Sequence, residues 1–362
     1  MNDVLLTVSR ALESDLDAMI GRGERPRPDY IALSMAFQAD LMDYTAARRS
    51  TGWVGKWLKM LGGPNLTLVW ACFKRRKQYR VIFTDGEQIG IPLAFLLKVA
   101  NFGRRPRHLM ITHVLSVAKK LPFFDWFRVQ THIDTFFVYA SYQKQFIESR
   151  WRIAPERVIL TSFMVDADFF KPSQVQRTQA LAELNGHQPL ISAVGFERRD
   201  YPTLMAAVRG LDVQVVVAAD SPWSKQPNSA ANQPVPENVI LRSFSLFELR
   251  QLYAKSRFVV VPLLDVTFQA GVTTILEAMA MEKAVICSRT LGQTDVVIEG
   301  ETGLYVPPQN PPALRAAIAA LLSDPQRAER MGKSARLQIE QAMNLDLYTA
   351  RLHRVVQQAI LR

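Results

Sequence analysis

In the stretch FQAGVTTILEAMAMEKAVICS, Phe268 to Ser288, one carboxylate, Glu277, sits among small and apolar residues. An ionised carboxylate near a core needs hydrogen-bond donors, and two adjacent ribose hydroxyls would satisfy it in bidentate fashion. A solvent-facing stripe on a helix would also accommodate it. An amide, Gln269, stands eight residues earlier. Between the two, Gly271 lets the backbone turn closely, and a helix is expected from about Val272. Its first amides, from Gly271 and Val272 to Thr273 and Thr274, would have no partners within the helix. Such a start binds phosphate through free N–H groups and the positive end of the helix dipole, and the threonine hydroxyls add to it. The same residues also make an ordinary helix start.

The elements that must position these residues alternate between strand and helix. Apolar β-rich runs are expected as strands at Val4–Ser9, Ala39–Tyr44, Arg80–Asp85, His108–His113, Asp134–Tyr139 and Arg157–Ser162. Helix-compatible stretches such as DYIALSMAF and SYQKQFIESRW lie between them, which argues for a parallel sheet covered on both faces. VLLTVSRALESDLDAMI could instead be one amphipathic helix, because Val4, Val8, Leu12 and Leu16 recur every four residues. After a polar stretch, Lys171–Gln188, strands are expected again at Pro189–Gly195, Val213–Ala219, Asn238–Ser243, Arg257–Leu263 and Ala284–Ser288. Ala219–Asn238 reads as a surface loop. The expectation is an α/β protein of two doubly wound domains: 1–172, a linker at 173–188, 189–340, and a C-terminal helix at 341–362 that packs back on the first domain. In open parallel sheets ligands bind beyond the carboxyl ends of the strands, so two such sheets would share a cleft.

The chain has 362 residues, 48% hydrophobic and 21% charged, a globular composition. Cys72 and Cys287 lie far apart and suggest no disulfide framework, so a reducing, cytoplasmic setting is the default. No apolar run reaches the ~18 residues that span a bilayer. The net charge of +11 is uneven: residues 1–172 hold 25 Lys and Arg against 16 Asp and Glu. WVGKWLKMLGGPNLTLVWACFKRRKQYR, Trp53 to Arg80, mixes Trp53, Trp57 and Trp70 with Lys56, Lys59 and the Lys74–Lys77 cluster. Arg104–Arg107 and Lys119–Arg128 repeat the pattern. Rings at headgroup depth with cations beside them suit an anionic membrane surface, at ~1 kcal/mol per cation. Buried rings with a solvated basic face would read the same way. No recognised nucleic-acid motif appears, and there is no Walker A sequence, His/Cys metal cluster or Ser nucleophile elbow.

FQAGVTTILEAMAMEKAVICSRTLGQTDVVIEGETGLYVPPQNPPALRAAIAALLSDP resembles the C-terminal domain of retaining glycosyltransferases of family 4, which have the GT-B fold. That family typically reads E-G-F-G-x-x-x-L-E-A-M-A-x-G-x-P-V-I, then E-x-G-x-x-G-x-L-V-P-P. RVILTSFMVDADFFKP, PLISAVGFERRDYPTLMAAV, RVIFTDGEQIGIPLAFLLKV and HLMITH resemble further stretches of it, so the likeness covers most of the chain beyond about residue 80.

The resemblance implies a GT-B hexosyltransferase that uses a nucleotide sugar, here taken as a UDP-sugar, with no other cofactor and no metal. VDAD, Val165–Asp168, imitates a metal-binding Asp-x-Asp, but its place in the linker argues against that role. By resemblance Glu277 grips the ribose, and Gln269 takes the place of an acidic residue that contacts the donor sugar. Phe196 and Tyr201 stand where the family has Arg and Lys, leaving Arg198 or Arg199 to clamp the diphosphate. His113, at a strand end, is implied to face the sugar. Asp85 and Glu87 end the neighbouring strand, where they line the acceptor side or cap a helix. The acceptor implied is a glycan, a lipid or a lipid-linked glycan. The other classes open to this sequence are a GT-B-type nucleotide-sugar isomerase and a noncatalytic scaffold that kept the fold.

Overall fold

The computed structural model describes residues 2–100, 103, 105–175, 184, 187–219 and 235–361. The loop expected at Ala219–Asn238 and the linker expected at 173–188 lie mostly outside the described residues. The chain divides into two compact units. The first comprises residues 1–18, 27–161 and 346–362, and the second residues 19–26 and 162–345.

Six strands form the sheet of the first unit: β1 Val4–Thr7, β2 Asp40–Met42, β3 Val81–Thr84, β4 Arg107–Thr112, β5 Thr135–Val138 and β6 Val158–Leu160. Their spatial order is β2-β1-β3-β4-β5-β6, and all neighbours are parallel. The stretch with two readings resolves into β1 and a separate short helix, α1 Leu16–Gly21. Val4, Leu5, Leu6 and Thr7 are all buried, because β1 pairs on both edges and is covered on both faces. The helices are α2 Asp29–Phe37, α3 Tyr44–Arg75, α4 Glu87–Ala100, α5 Leu121–Asp125 and α6 Ser141–Trp151. Non-helical backbone at Gly52, Gly62 and Gly63 breaks α3 into three pieces, so Pro64 falls at a segment start, where its missing N–H costs little.

The second unit repeats the plan with β7 Leu190–Val194, β8 Gln214–Ala218, β9 Val239–Leu241, β10 Phe258–Val261, β11 Ala284–Ser288 and β12 Gly303–Val306, in the order β12-β11-β10-β7-β8-β9. Its helices are α7 Tyr201–Val208, α8 Leu246–Lys255, α9 Val272–Ala280, α10 Pro311–Ser323 and α11 Pro325–Gln338. The last helix, α12 Leu345–Leu361, lies almost wholly in the first unit, where Tyr348 and Tyr139 share a buried hydroxyl–hydroxyl bond of 2.8 Å. Alternate strand residues of the second unit feed opposite cores: Ile191, Val215, Val260 and Ile286 on one face, Val194, Val216, Val259 and Val285 on the other. That is why these strands read as continuous apolar runs.

Strand β12 was not among the expected strands. Its four residues, GLYV, open on a glycine and run straight into Pro307 and Pro308, so the stretch reads as turn rather than strand. Its pairing depends on Gly303, where an added Cβ would lie 2.1 Å from the backbone oxygen of Val285. Gly303→Ala is therefore expected to push β12 off β11 and to cost about 2 kcal/mol or more, read as a fall in the urea midpoint. An unchanged midpoint would mean that the edge strand relaxes freely.

Candidate functional site

In the second sheet the chain runs outward from β7 to β8 and β9, then returns to the other side of β7 for β10 to β12. This reversal leaves a crevice at the carboxyl ends of β7 and β10, the place where doubly wound sheets bind ligands. Gly195 follows β7 at φ 101° and Gly271 caps α9 at φ 77°, both left-handed conformations that suit glycine. The two glycines also clear the space that the Arg199 guanidinium fills. A Cβ at Gly195 would lie 2.3 Å from Arg199 Nη2, and one at Gly271 3.1 Å from Nη1.

Arg199 is buried and held by its neighbours. Its Nε donates to the Val194 carbonyl at 3.0 Å, Nη1 to the Glu197 carbonyl at 2.9 Å and Nη2 to the Thr274 hydroxyl at 3.1 Å. It is thus fixed beside the first turn of α9. Arg198 is exposed, on left-handed backbone at φ 56°. Thr274 is buried and its hydroxyl also donates to Val194, whereas Thr273 is exposed at the helix start and Val272 is buried. Tyr201 donates its hydroxyl to the Gly195 carbonyl, so it buttresses the turn that frames the crevice.

Glu277 is 7% exposed, one turn into α9, and accepts a 2.8 Å hydrogen bond from the buried Tyr253 hydroxyl on α8. Burial pushes its carboxyl up to about 7, while the Tyr253 bond and the Arg199 charge pull the other way. Gln269 lies half-buried in the loop before Gly271. That loop is pinned from the turn after β11. Gln293 donates to the Ala270 carbonyl at 2.9 Å, and a Cβ on Gly292 would lie 2.2 Å from the backbone nitrogen of Phe268. Tyr253, Gly292 and Gln293 were not singled out in the sequence. They act through space on residues 23 or 24 positions away, and no local pattern marks them.

The first unit has its own reversal, between β1 and β3. Here Asp85 fills it. Its carboxylate accepts from the Thr7 hydroxyl at 2.5 Å, from the Ser9 amide at 2.6 Å and from the Ser9 hydroxyl at 2.9 Å. Asp85 thereby ties the ends of β1 and β3 together. Glu87 is buried and accepts from the Val114 amide at 2.5 Å and from Lys120 Nζ at 3.2 Å, fixing the segment that carries His113. His113 is exposed, its ring 5.5 Å from that of Tyr139. Burial raises the Asp29 carboxyl, which shares this face electrostatically with Asp85, Arg10 and His113. The structure thus gathers Arg199, Gly271, Val272, Thr273, Thr274 and Glu277 at one crevice of the second unit. In the first it places Asp85 and His113 just after β3 and β4, and Glu87 at the start of α4. Among the described residues no group of three or more His, Cys, Asp or Glu is arranged to hold a metal ion.

Residues 190–324 match the family described as Glycosyl transferases group 1. The alpha-D-kanosaminyltransferase of Streptomyces kanamyceticus is 28% identical over 129 residues, 35% of this chain and 33% of that protein. The chain spans between a third and a half of the length of the curated relatives it matches. Among solved structures, a sucrose-phosphate synthase from Thermosynechococcus elongatus superposes with TM-score 0.74 at 18% identity, covering 100% of both chains. Anabaena HepE in complex with UDP-glucose gives TM-score 0.69 at 12% identity, covering 98% of this chain and 99% of that one. The fold is therefore that of GT-B glycosyltransferases, and the second unit carries a glycosyl transferases group 1 domain.

The raised Glu277 carboxyl has a signed consequence for stability. Between about pH 4.5 and about 7 the folded state binds more protons than the unfolded chain, so this group's contribution to stability falls with rising pH across that window and then levels off. Above it, the ionised carboxylate depends on Tyr253. Tyr253→Phe is expected to cost about 1–3 kcal/mol above pH 8, and less at pH 5.5, where Glu277 is protonated. Urea denaturation at the two pH values checks this. An equal cost at both would detach Tyr253 from the charge on Glu277.

Proposed function

We propose that the chain transfers a sugar from a nucleotide-sugar donor to an acceptor hydroxyl with retention of anomeric configuration, as a family 4 glycosyltransferase does. The observation that carries this reading is the crevice beside β7 and β10. There a helix start offers unpartnered amides, a buried arginine lies beside them, and a buried carboxylate stands one turn further on. Diphosphate suits the amides and the guanidinium fork, and the ribose hydroxyls suit Glu277. A UDP-sugar is the donor class assigned.

In this reading the bond from the anomeric carbon to the diphosphate oxygen breaks, and the leaving charge settles on the α9 amides with Arg199 adding a fixed positive field. The acceptor oxygen forms the new bond on the same face of the sugar, and its proton passes to the departing phosphate oxygen. Gln269 positions the sugar hydroxyls. It keeps a carbonyl acceptor and adds two donors, but it lacks the charge that strengthens such bonds. His113, exposed after the carboxyl end of β4, is assigned to sugar recognition on the family resemblance. Asp85 and Glu87 shape the acceptor face through the backbone they hold.

We further assign the acceptor to a lipid or lipid-linked glycan at the inner face of a membrane, with the first unit peripheral on the surface. Trp53, Trp57, Met60 and Leu61 share one face of the middle piece of α3 and are 80%, 59%, 84% and 63% exposed, with Lys56 and Lys59 beside them. No helix among the described residues is long and apolar enough to cross a membrane.

Incubation with UDP-glucose and other nucleotide sugars, with and without acceptors, is expected to release nucleoside diphosphate only when an acceptor is present, and to give a product of unchanged anomeric configuration by NMR. Product without acceptor would make the chain an isomerase. No turnover with any donor would make it a scaffold, a reading that Phe196 and Tyr201 in the phosphate loop would then explain. Gln269→Ala should lower turnover roughly tenfold while leaving nucleoside diphosphate binding nearly intact, and Gln269→Glu should remain active. For the membrane, Trp53→Ala with Trp57→Ala should weaken cosedimentation with anionic vesicles, and salt should weaken that of the wild type. Equal pelleting of both proteins would remove this face from consideration.

A further inference from the structure

A cavity of about 610 Å³ opens at the other pole of the first unit, at the amino ends of β3 and β4. Arg80 immediately precedes β3 and Arg107 opens β4, whereas Asp85 and His113 follow the carboxyl ends of the same strands. The cavity is therefore distinct from the face that carries those residues. Arg76, Lys77, Arg80, Arg105 and Arg107 line it, and among the described residues none that lines it is acidic.

Three of the five cations are held before any ligand arrives. The Arg76 guanidinium stacks 3.9 Å from the centroid of the Phe73 ring and donates to the Phe73 carbonyl at 2.9 Å. Arg105 forks onto Asp134 at 2.6 and 3.2 Å, and Arg107 reaches the same carboxylate at 3.0 Å. Asp134 also accepts from the His108 amide at 2.8 Å. Burial works against its charge, yet Arg105, the His108 amide and Arg107 together hold its carboxyl below the usual range. One permanent anion thus orients two guanidiniums while leaving the cluster strongly positive. Lys77 and Arg80 are exposed at the rim. Pre-oriented guanidiniums lose little freedom on binding, and their fork geometry matches phosphate oxygens.

We propose that this basic cavity is an anion site for a multiply charged phosphate group, either a soluble polyphosphate or a phosphomonoester headgroup. The five cations outnumber the carboxylates of Asp134 and of Asp40, which accepts from the hydroxyl of the lining Tyr79 at 2.9 Å, so they repel one another, and a polyanion relieves that repulsion while meeting several forks at once. The cavity is roomier than a single phosphate ion requires. Ala359 and Ile360 of α12 close one wall. The competing structural role is that the cations merely complement the carbonyls of the last turn of α12.

The proposal does not rest on glycosyl transfer and is tested without it. Calorimetric titration of the full chain with inorganic tripolyphosphate, at fixed ionic strength, is expected to show binding. Arg76→Gln, Lys77→Gln and Arg80→Gln together should weaken it about ten- to a hundredfold, the equivalent of losing a charge-assisted bond. Lys171→Gln with Arg209→Gln, which removes the same kind of charge from exposed positions of the second unit, should change it less than about twofold. Arg105 and Arg107 are left in place so that Asp134 keeps its partners and the unit folds. Phosphatidylcholine vesicles containing phosphatidic acid separate the sources. The part of the cosedimentation that tripolyphosphate competes away and the triple substitution removes identifies a headgroup, while tripolyphosphate binding with no such part identifies a soluble ligand. Binding that survives the triple substitution belongs to another site and overturns the proposal. So does an absence of binding, or a triple substitution that lowers only the melting temperature.

Discussion

Both units of this chain depend on one topological constraint. A parallel strand needs a crossover, crossovers are right-handed, and a sheet covered on both faces must reverse its direction of growth once. That reversal falls between β1 and β3 in the first unit and between β7 and β10 in the second. The connections at such a point leave in opposite directions, so a gap opens beyond the strand ends. The two units fill it differently. In the first, the Asp85 carboxylate draws Thr7 and Ser9 across the gap. In the second, two left-handed glycines keep backbone out of it, and the arginine they admit is bound along its length to carbonyls and Thr274.

The second gap has a charge pattern with a direction. The first turn of α9 and Arg199 supply positive potential at the mouth, and Glu277 supplies an acceptor one turn deeper. Tyr253 is placed to donate to that carboxylate, and burial still raises it to about 7. A carboxylate held near its ionisation point by desolvation gains most from a ligand that brings hydroxyl donors. The loop with Gln269 is fixed by Gln293 and Gly292, so the residue assigned to the sugar does not depend on its own loop for placement.

Much of this was legible in the sequence because parallel strands buried on both faces leave long apolar runs. Eleven of the twelve strands among the described residues fall on expected runs, though β2, β6 and β9 are only partly buried. Strand β12 escaped because its short apolar run lies between Gly303 and Pro307-Pro308, residues that read as a turn. Gly271 and Glu277 announced themselves by type and spacing, since a turn glycine before a helix and a lone acid among small residues are local features. Which of two adjacent arginines faces inward was not local. It follows from the left-handed backbone at Arg198 and the space left by Gly195 and Gly271. Asp85 and Glu87 could be read as acids at a strand end, but not as the ties they form with Ser9 and Val114, which lie 76 and 27 positions away. The basic runs around residue 76 and residue 105 were visible, but only the pairing of β3 with β4 brings them to one cavity.

The central claim is that the buried Glu277 carboxylate holds the ribose of a nucleotide sugar, and the affinity for UDP-glucose as a function of pH tests it most directly. A nucleotide-sugar diphosphate does not itself titrate near neutrality. A ligand that donates two hydroxyls to Glu277 favours its ionised form, and that group titrates at about 7 in the unliganded protein. Affinity is therefore predicted to strengthen as pH rises from about 6 to about 8, by up to roughly tenfold per unit below the titration point, and then to level off. Glu277→Gln should bind more weakly at high pH and show no such rise. A wild-type affinity independent of pH across this range, or a rise that persists in Glu277→Gln, would contradict the account.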